Sequence, residues 1–560
     1  MIAKIKKLFK ENFTLVLLVL IPILAGNYLL KPGYFSMHDD IQVMRLYEME
    51  KCFKDGQIPC RWVPDMGAGF GHPLFNYHPV FPYYAGMILR LFNLSFVDIS
   101  KLLFLFSLIF SSLFMYLLAK EFFGKAGGLL SASMYVLAPY HAVDIFVRGA
   151  LTESWALAFF PLVLWSLYKF ITANQFLYFL SSIISIFLLL ISHNTMPLIF
   201  FPVALFWALL WIVAAKNWKA IPRLCLIVLW SVGLSAFFLI PSLLEINLAK
   251  LETMASGYYD YKNHFVTIFQ LFLKRGWGYG PSIAGSDDTM PFQLGWPMWP
   301  ISLLVGFMVL SGLAKNKVLA FAFVIFGFSV FMTHAKSYWL WNLLPGMNFV
   351  QFPWRFLSLS ILSMALLAGG LVQIFKAEKM KISLAFLIIF ISFLLNFNYF
   401  KPEYYFSDRT DAVMLSGSEW KTQSMATLND YVPVSVNKYP QEMAPDTPWV
   451  VEGKAKITEF KKRSNYWRFA VETVENKAVW VEIPVFDFPI WEVYLNTEKA
   501  PHLYDPETGV VQILVPAGNH TVVTGWLRDT LIRKIANWLS MFSLFVLMVL
   551  IIKKGKNQRI

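Results

Sequence analysis

Charged residues are scarce in this chain of 560 residues: they make up 15%, whereas hydrophobic residues make up 57%. A soluble protein of this length needs far more polar surface, so most of the chain is expected to face lipid. Cysteine is scarcer still, with three residues and no CxxC pair, which argues against a zinc site. The formal net charge is +13, but the basic residues form no stripe and no nucleic-acid-binding motif is present. We therefore expect no nucleic-acid partner.

Several catalytic motifs are absent as well. No P-loop and no GxGxxG after a predicted strand is present, which argues against a nucleotide site. No HExxH or GxSxG motif is present, which argues against a metalloprotease or a lipase.

Long apolar runs are what the chain does have, and they predict a polytopic α-helical membrane protein. An apolar helix of about 20 residues crosses a bilayer. The first run follows a basic start but has no A-x-A-like cleavage site, so it is interpreted as an uncleaved helix. The predicted spans are twelve in number: 13–30, 98–119, 127–141, 153–170, 176–192, 196–214, 222–243, 296–313, 317–333, 354–374, 382–399 and 530–552.

Basic residues are distributed unequally between the breaks that separate these spans. If the N-terminus is cytoplasmic, the cytoplasmic breaks and tail hold 19 Lys and Arg, whereas the short outer breaks hold two, Arg148 and Lys336. Cytoplasmic loops carry the excess of Lys and Arg in membrane proteins. The asymmetry predicts a plasma-membrane protein with both termini cytoplasmic.

Three long polar segments then lie outside, at 31–95, 244–292 and 400–529. The last has β-branched and aromatic runs such as "WRFAVETV" and "AVWVEIPVF" between Asn, Gly, Pro and Asp turns, which predicts an extracytoplasmic β-sandwich. We predict a transmembrane module at 1–399, the β-sandwich domain at 400–529, and a final helix with a basic tail at 530–560.

The stretch "YFSMHDDIQV" opens the first outer segment and places His38, Asp39 and Asp40 at the membrane surface. One interpretation is a helix start, because Asp39 followed by Gln42 resembles a capping box. Two carboxylates and an imidazole exceed what a cap requires, and adjacent carboxylates repel, which favours a usable base. A catalytic role and a ligand pair for Mg²⁺ or Mn²⁺ are both open.

Other polar residues fall on the same outer side of the membrane. Each alone has a structural explanation, such as a turn, an ion pair within a loop, or an arginine reaching the headgroups. Together, acids and arginines at the outer surface suit a lipid-linked phosphate substrate, because arginine binds phosphate bidentately. The candidate substrate-binding residues are His38, Arg61, Asp65, His72, Arg148, Glu153, His193 and Arg355.

Several motifs in this order resemble the GT-C superfamily of membrane glycosyltransferases, and more narrowly its bacterial YfhO-like branch. They are "HDD", "GQIPCRWVPDMGAGFGHPLFNY", "RGALTES", "QFPWRF" and the late "VEIPVFDFPIWEVYLNTEKAP". The resemblance implies a polyprenyl-phosphate sugar as donor and an acceptor hydroxyl, on a glycan, lipid or protein, at the outer face. It makes an acid of the first loop the base, and we expect Asp40, shaped by Asp39 and His38.

The expected reaction inverts the anomeric carbon, with Arg61, Arg148 or Arg355 neutralising the leaving phosphate. The alternatives are a transporter or flippase of lipid or polysaccharide, and an inactive relative that acts as a scaffold. Transporters place charges at the bilayer midplane, whereas these spans are nearly free of charge. Cys52 and Cys60 lie on the predicted outer side, where an oxidising exterior favours a disulfide between them.

Overall fold

Apolar helices make up most of the chain before residue 400. The structure is a computed structural model that describes residues 2–285, 288–475, 477–518 and 520–557. In lipid every backbone N–H and C=O must find a partner within its own segment, so apolar runs of this length form helices. The helices of ten or more residues are Ile2–Ala25, Gln42–Lys54, Phe81–Arg90, Phe96–Val136, Leu151–Ala173, Phe176–Leu190, Met196–Ala215, Ala220–Leu244, Met298–Leu310, Lys317–Thr333, Leu357–Leu371, Glu378–Asn396, Gly417–Ala426 and Leu531–Asn557.

The structure supports a protein with several membrane-spanning helices, but not the number twelve. Within the described residues, seven helices are long and apolar enough to cross a membrane, and eight if a pair bent by 93° counts as one span. The seven are Phe96–Val136, Leu151–Ala173, Met196–Ala215, Ala220–Leu244, Pro353–Ile374, Glu378–Tyr399 and Leu531–Lys554. Three shorter apolar helices, Phe13–Ala25, Phe176–Leu190 and Met298–Leu310, coincide with further predicted spans.

The predicted spans at 98–119 and 127–141 differ most from the structure. Both begin within one helix, Phe96–Val136, which is interrupted only at Gly124 with φ 71° and ψ −173°. The residues between them, "KEFFGKA", are mostly compatible with a helix, so the break predicted there is helical except at the glycine.

The chain divides into two units, each built from three chain segments. The first comprises Met1–Asp40, Val97–Ser231 and Met254–Arg409, and the second comprises Ile41–Phe96, Val232–Thr253 and Thr410–Ile560. The predicted boundary at residue 400 therefore differs from this division at two places. Residues 400–409 belong to the first unit, and most of the outer segment 31–95 belongs to the second.

The first unit contains one small sheet besides its helices. The strands Tyr34–Phe35 and Tyr405–Phe406 pair antiparallel, with Tyr34 opposite Phe406. The pairing brings together two distant parts of the sequence. One strand ends two residues before "HDD", and the other ends two residues before Arg409.

The predicted β domain lies in the second unit and is confirmed as two antiparallel sheets. One has the strands Trp449–Glu452, Val479–Phe486, Val510–Val515 and Leu503–Tyr504 in that spatial order. The other has the strands Ala455–Lys462, Tyr466–Thr473, Thr521–Leu527, Trp491–Leu495 and Glu498–Ala500. Alternate side chains of both sheets share one hydrophobic core, as in a sandwich.

Aromatic side chains of the first outer segment are part of that same core. Trp62 and Phe70 are buried in it, and Phe70 stacks on Phe486 with ring centroids 5.0 Å apart. This packing explains why the segment 41–96 belongs to the second unit. The disulfide between Cys52 and Cys60 is present in the same segment, as expected from the sequence.

Candidate active site

The acidic turn at residues 38–40 is held by main-chain hydrogen bonds. The amide of His38 donates to the Val147 carbonyl at 2.9 Å, and the amide of Asp39 donates to the Arg148 carbonyl at 2.9 Å. The His38 ring also donates through Nε2 to the Tyr279 carbonyl at 2.8 Å. The backbone of the turn is therefore fixed, while the side chain of Asp39 is exposed.

Asp40, the base expected from the sequence, is ion-paired. Arg409 Nη1 donates to Asp40 Oδ2 at 3.1 Å, and their side chains are 17% and 25% exposed. The guanidinium of Arg409 also lies over the Phe406 ring, 4.0 Å from its centroid. Phe406 belongs to the small sheet, so Arg409 is held in place on two sides.

The helix that follows the acidic turn begins later than the capping interpretation expects. The helix begins at Gln42, and Ile41 occupies its N-cap position without a side-chain hydrogen bond. Neither aspartate lies at the position from which a side chain caps a helix.

The carbonyls that hold the acidic turn come from an unusual helical segment. Residues Val143–Arg148 form a π-helix, a wide turn that is found mostly at functional sites. Gly149 ends it in the left-handed conformation, with φ 68°. A Cβ atom at Gly149 would lie 2.3 Å from Sδ of Met37, so both the positive φ and the packing favour glycine here.

Glu153 is the centre of a buried network that gathers four predicted residues. Its side chain is fully buried at the start of the helix Leu151–Ala173. Arg148 Nη2 lies 2.8 Å from Glu153 Oε2, and Arg355 Nε lies 3.4 Å from it. His193 Nε2 lies 3.9 Å away, and Tyr140 Oη donates to Oε1 at 2.5 Å. Arg148, Glu153, His193 and Arg355 thus meet at one point.

The two arginines have additional partners within this network. Arg148 also pairs with the buried carboxylate of Asp144, and its guanidinium lies 4.6 Å from the centroid of the Trp354 ring. Arg355 Nη1 donates to the Val350 carbonyl at 2.8 Å and to Gln351 Oε1 at 2.9 Å. Gln351 adopts φ 66°, which is uncommon for a residue other than glycine and typical of functional sites.

His193 is present in one defined tautomer. Its Nδ1 accepts hydrogen bonds from the amides of Thr195 and Met196 at 3.1 and 3.2 Å, so the proton of the neutral ring is on Nε2. Burial, together with the positive charge of Arg355, lowers the pKa of His193 to about 3. The imidazole is neutral at physiological pH and adds no charge to the network.

Three other predicted residues lie in the second unit with partners of that unit. Arg61 is buried, and its Nη2 donates to Asn537 Oδ1 at 2.8 Å and to a main-chain carbonyl. Asp65 pairs with Lys51, and the buried ring of His72 hydrogen-bonds to the Asp430 carbonyl. Burial lowers the pKa of His72 to about 4. The structure does not group these residues with the Glu153 network.

Sequence reasoning missed Arg409 and Tyr140. Arg409 lies beyond residue 400, in a segment that the sequence analysis assigned to the β domain. Its only signal is the "YYF" run at 404–406, which resembles a short strand. Tyr140 lies where a membrane span was predicted, so its hydroxyl was counted as part of an apolar run.

The acidic pair does not fit a metal site in the part of the chain that the structure describes. No group of three or more His, Cys, Asp or Glu side chains there could hold a metal ion. Asp40 is already neutralised by Arg409, and the His38 ring already donates to a carbonyl. Mg²⁺ and Mn²⁺ require several oxygen ligands, which these residues do not supply together.

Comparison with known proteins gives structural similarities only. No protein-family model matches the chain, and no curated protein matches it. The arabinofuranosyltransferase AftD from mycobacteria is 13% identical with a TM-score of 0.45, over 71% of this chain and 27% of that one. An oligosaccharyltransferase from Archaeoglobus fulgidus, in complex with Zn and sulfate, is 16% identical with a TM-score of 0.35, over 70% and 53%.

The same archaeal oligosaccharyltransferase, tethered to an acceptor peptide with the NVT sequon, is 15% identical with a TM-score of 0.36, over 78% of this chain and 60% of that one. The chain thus spans between about a quarter and three fifths of the length of these proteins. Similarity at this level assigns no substrate and no residue role, and the chain is similar to membrane glycosyltransferases without being shown to belong to their family.

Proposed function

We propose that the protein is a membrane glycosyltransferase of the GT-C type. It transfers a sugar from a polyprenyl-phosphate donor to a hydroxyl of a glycan, lipid or protein acceptor. The observation that supports this most is the exposed position of Asp39 on a turn whose backbone is held by hydrogen bonds. The sequence resemblance to the YfhO-like branch supports the class of donor.

Asp39 is the better candidate for the base of the two adjacent acids. A base must reach the acceptor hydroxyl, at a heavy-atom distance of about 2.6–3.2 Å. Asp39 is exposed, whereas Asp40 is less exposed and its carboxylate contacts the Arg409 guanidinium at 3.1 Å. In this proposal Asp39 accepts the proton and Asp40 anchors the turn through Arg409.

The reaction follows from these roles. Asp39 accepts the proton of the acceptor hydroxyl while the hydroxyl oxygen attacks the anomeric carbon from the face opposite the phosphate. The new C–O bond forms as the bond to the phosphate oxygen breaks, and the polyprenyl phosphate leaves with the electron pair. The configuration at the anomeric carbon is inverted. Because the turn is fixed, the base does not have to be ordered during the reaction, which lowers the entropic part of the barrier.

We place the reaction on the outer face of the plasma membrane. The excess of Lys and Arg in the alternate breaks supports this orientation. The disulfide between Cys52 and Cys60 also supports it, since disulfides persist in oxidising compartments and are rare in the cytosol.

The test is sugar transfer in membranes that contain the protein, with a panel of radiolabelled polyprenyl-phosphate hexoses and pentoses. Asp39→Asn keeps the size of the side chain but cannot accept the proton, and loss of a general base lowers rates by ~10²–10⁴-fold. Asp98→Asn is the matched control, because Asp98 is a partly exposed carboxylate of the same unit, 3.1 Å from Lys101. The proposal is wrong if no donor supports transfer above empty membranes, or if Asp39→Asn transfers like the control.

A further inference from the structure

We infer that Glu153 is a positioning residue for the acidic turn, and that the arginines around it hold the turn in place instead of binding the donor phosphate. This rests on the proposed function, because it assigns a task to residues beside the proposed base. Sequence chemistry alone gave Arg148 and Arg355 the phosphate, since arginine is the usual phosphate ligand. Their contacts assign them otherwise.

Both arginines already have partners within the network. Arg148 is 9% exposed and pairs with Asp144 and Glu153. Arg355 is 7% exposed and is bonded to Val350, to Gln351 and, electrostatically, to Glu153. A phosphate would have to displace these partners and leave buried carboxylates uncompensated, which is costly.

Glu153 carries the negative charge that both arginines face. Its fully buried carboxylate lies 2.8 Å from Arg148 Nη2 and 3.4 Å from Arg355 Nε, while the His193 ring is neutral. Burial raises the pKa of Asp144, the other acid beside Arg148. The arrangement of the two guanidinium groups therefore depends on Glu153 more than on Asp144.

A continuous series of contacts links Glu153 to the acidic turn. Glu153 and Asp144 together orient the Arg148 side chain at the end of the π-helix. The carbonyl of Arg148 accepts the hydrogen bond from the Asp39 amide, and that of Val147 accepts the bond from His38. A shift of Arg148 therefore moves both acceptors, and the proposed base moves with them.

Glu153 is also the point at which separate segments converge. Its two oxygens are contacted from residue 140, from the π-helix, from the turn at 193 and from the segment at 355. These contacts come from four places in the sequence. We expect that loss of the Glu153 charge weakens the contact that orients Arg148 at the end of the π-helix, while the helices of the unit remain folded. Glu153 thus connects the helix Leu151–Ala173, through Arg148, to the acidic turn.

The first measurement is hydrogen exchange of the peptide that contains residues 36–40 in the full-length protein. Glu153→Gln should raise the exchange rates of the His38 and Asp39 amides by roughly tenfold or more, because local opening governs amide exchange. Glu121→Gln is the matched control, since Glu121 lies in the same unit and its partners Lys169 and Trp165 belong neither to the network nor to the turn. Unchanged exchange in folded Glu153→Gln overturns the inference, and this result does not depend on any sugar transfer.

The second measurement separates positioning from phosphate binding by kinetics. If Glu153 positions the base, Glu153→Gln lowers kcat while the KM for the donor stays within about a factor of two, because the loss appears in the transition state. Arg355→Lys keeps the charge opposite Glu153 and should retain more activity than Arg355→Gln. A rise of KM at constant kcat, with weaker inhibition by free polyprenyl phosphate, would instead assign the arginines to the phosphate and refute the inference.

Discussion

The pairing of Asp40 with Arg409 makes a prediction that separates the two candidate bases. Asp40→Asn removes the negative charge beside the Arg409 guanidinium, and Arg409→Gln removes the positive charge beside the Asp40 carboxylate. In the double variant Asp40→Asn/Arg409→Gln, two neutral amides face each other at the same positions. If Asp40 only anchors the turn, the double variant should transfer sugar better than either single variant.

The size of the effect follows from the burial of the pair. Exposed pairs contribute ~0.2–1 kcal/mol, and breaking a fully buried pair costs ~3–5 kcal/mol. Asp40 and Arg409 are 25% and 17% exposed, between these cases, so the coupling energy is expected at ~1–2 kcal/mol. Each single variant should lose ~5–30-fold in rate, and the double variant should recover most of that loss.

The assay is initial-rate sugar transfer in membranes with matched amounts of the four proteins, analysed as a double-mutant cycle. Asp39→Asn, measured beside them, should lose ~10²–10⁴-fold and should not be rescued by Arg409→Gln. The reasoning is refuted if the double variant is as inactive as Asp40→Asn while Asp39→Asn retains activity. That outcome identifies Asp40 as the base and Arg409 as its partner.

Two further predictions concern topology and the β domain. A cysteine introduced at Asn465 should react with an impermeant thiol reagent on intact cells and one at Asn557 should not; reversed labelling would put the acidic turn on the cytoplasmic side. Burial lowers the pKa of Lys462 to about 8. As the pH rises, the folded state therefore loses this proton at a lower pH than the unfolded state does. The contribution of Lys462 to stability consequently rises between about pH 8 and 10.5. Relative to Lys462→Met, the unfolding free energy of the wild type should therefore increase over that pH range by ~3 kcal/mol. The measurement is hydrogen exchange of the strand Tyr466–Thr473 in both proteins. A difference between the two proteins that does not change with pH would contradict the lowered pKa.

The sequence predicted the helices and the β-strands well, because both depend on local patterns. Continuous apolar runs become helices whatever surrounds them, and alternating runs such as "WRFAVETV" become strands. The break between 98–119 and 127–141 was misjudged because its polar residues are also helix formers. No local pattern indicated that Trp62 and Phe70 pack in the core of a domain that begins more than 300 residues later.

The candidate site was predictable in its residue types but not in its contacts. Charged residues near apolar spans are rare, so "HDD", "RGALTES" and "QFPWRF" were conspicuous, and three of the network's residues come from the last two motifs. The pairing of Asp40 with Arg409 spans 369 positions, which no spacing rule reaches. The division of tasks between Asp39 and Asp40 depends on that pairing and therefore required the structure.

The burial of two arginines and two acids at one end of the membrane helices itself argues for a task beyond stability. Replacing a buried ion pair by apolar residues of similar volume is often neutral or stabilising, so stability alone would favour a simpler core. An apolar core, however, cannot fix the direction of two carbonyl groups, since packing contacts are not directional. The π-helix requires such direction, because its last two carbonyls must meet the amides of His38 and Asp39 at 2.9 Å. Directional ion pairs that hold the acidic turn are therefore the physical reason we give for Asp144, Arg148, Glu153 and Arg355.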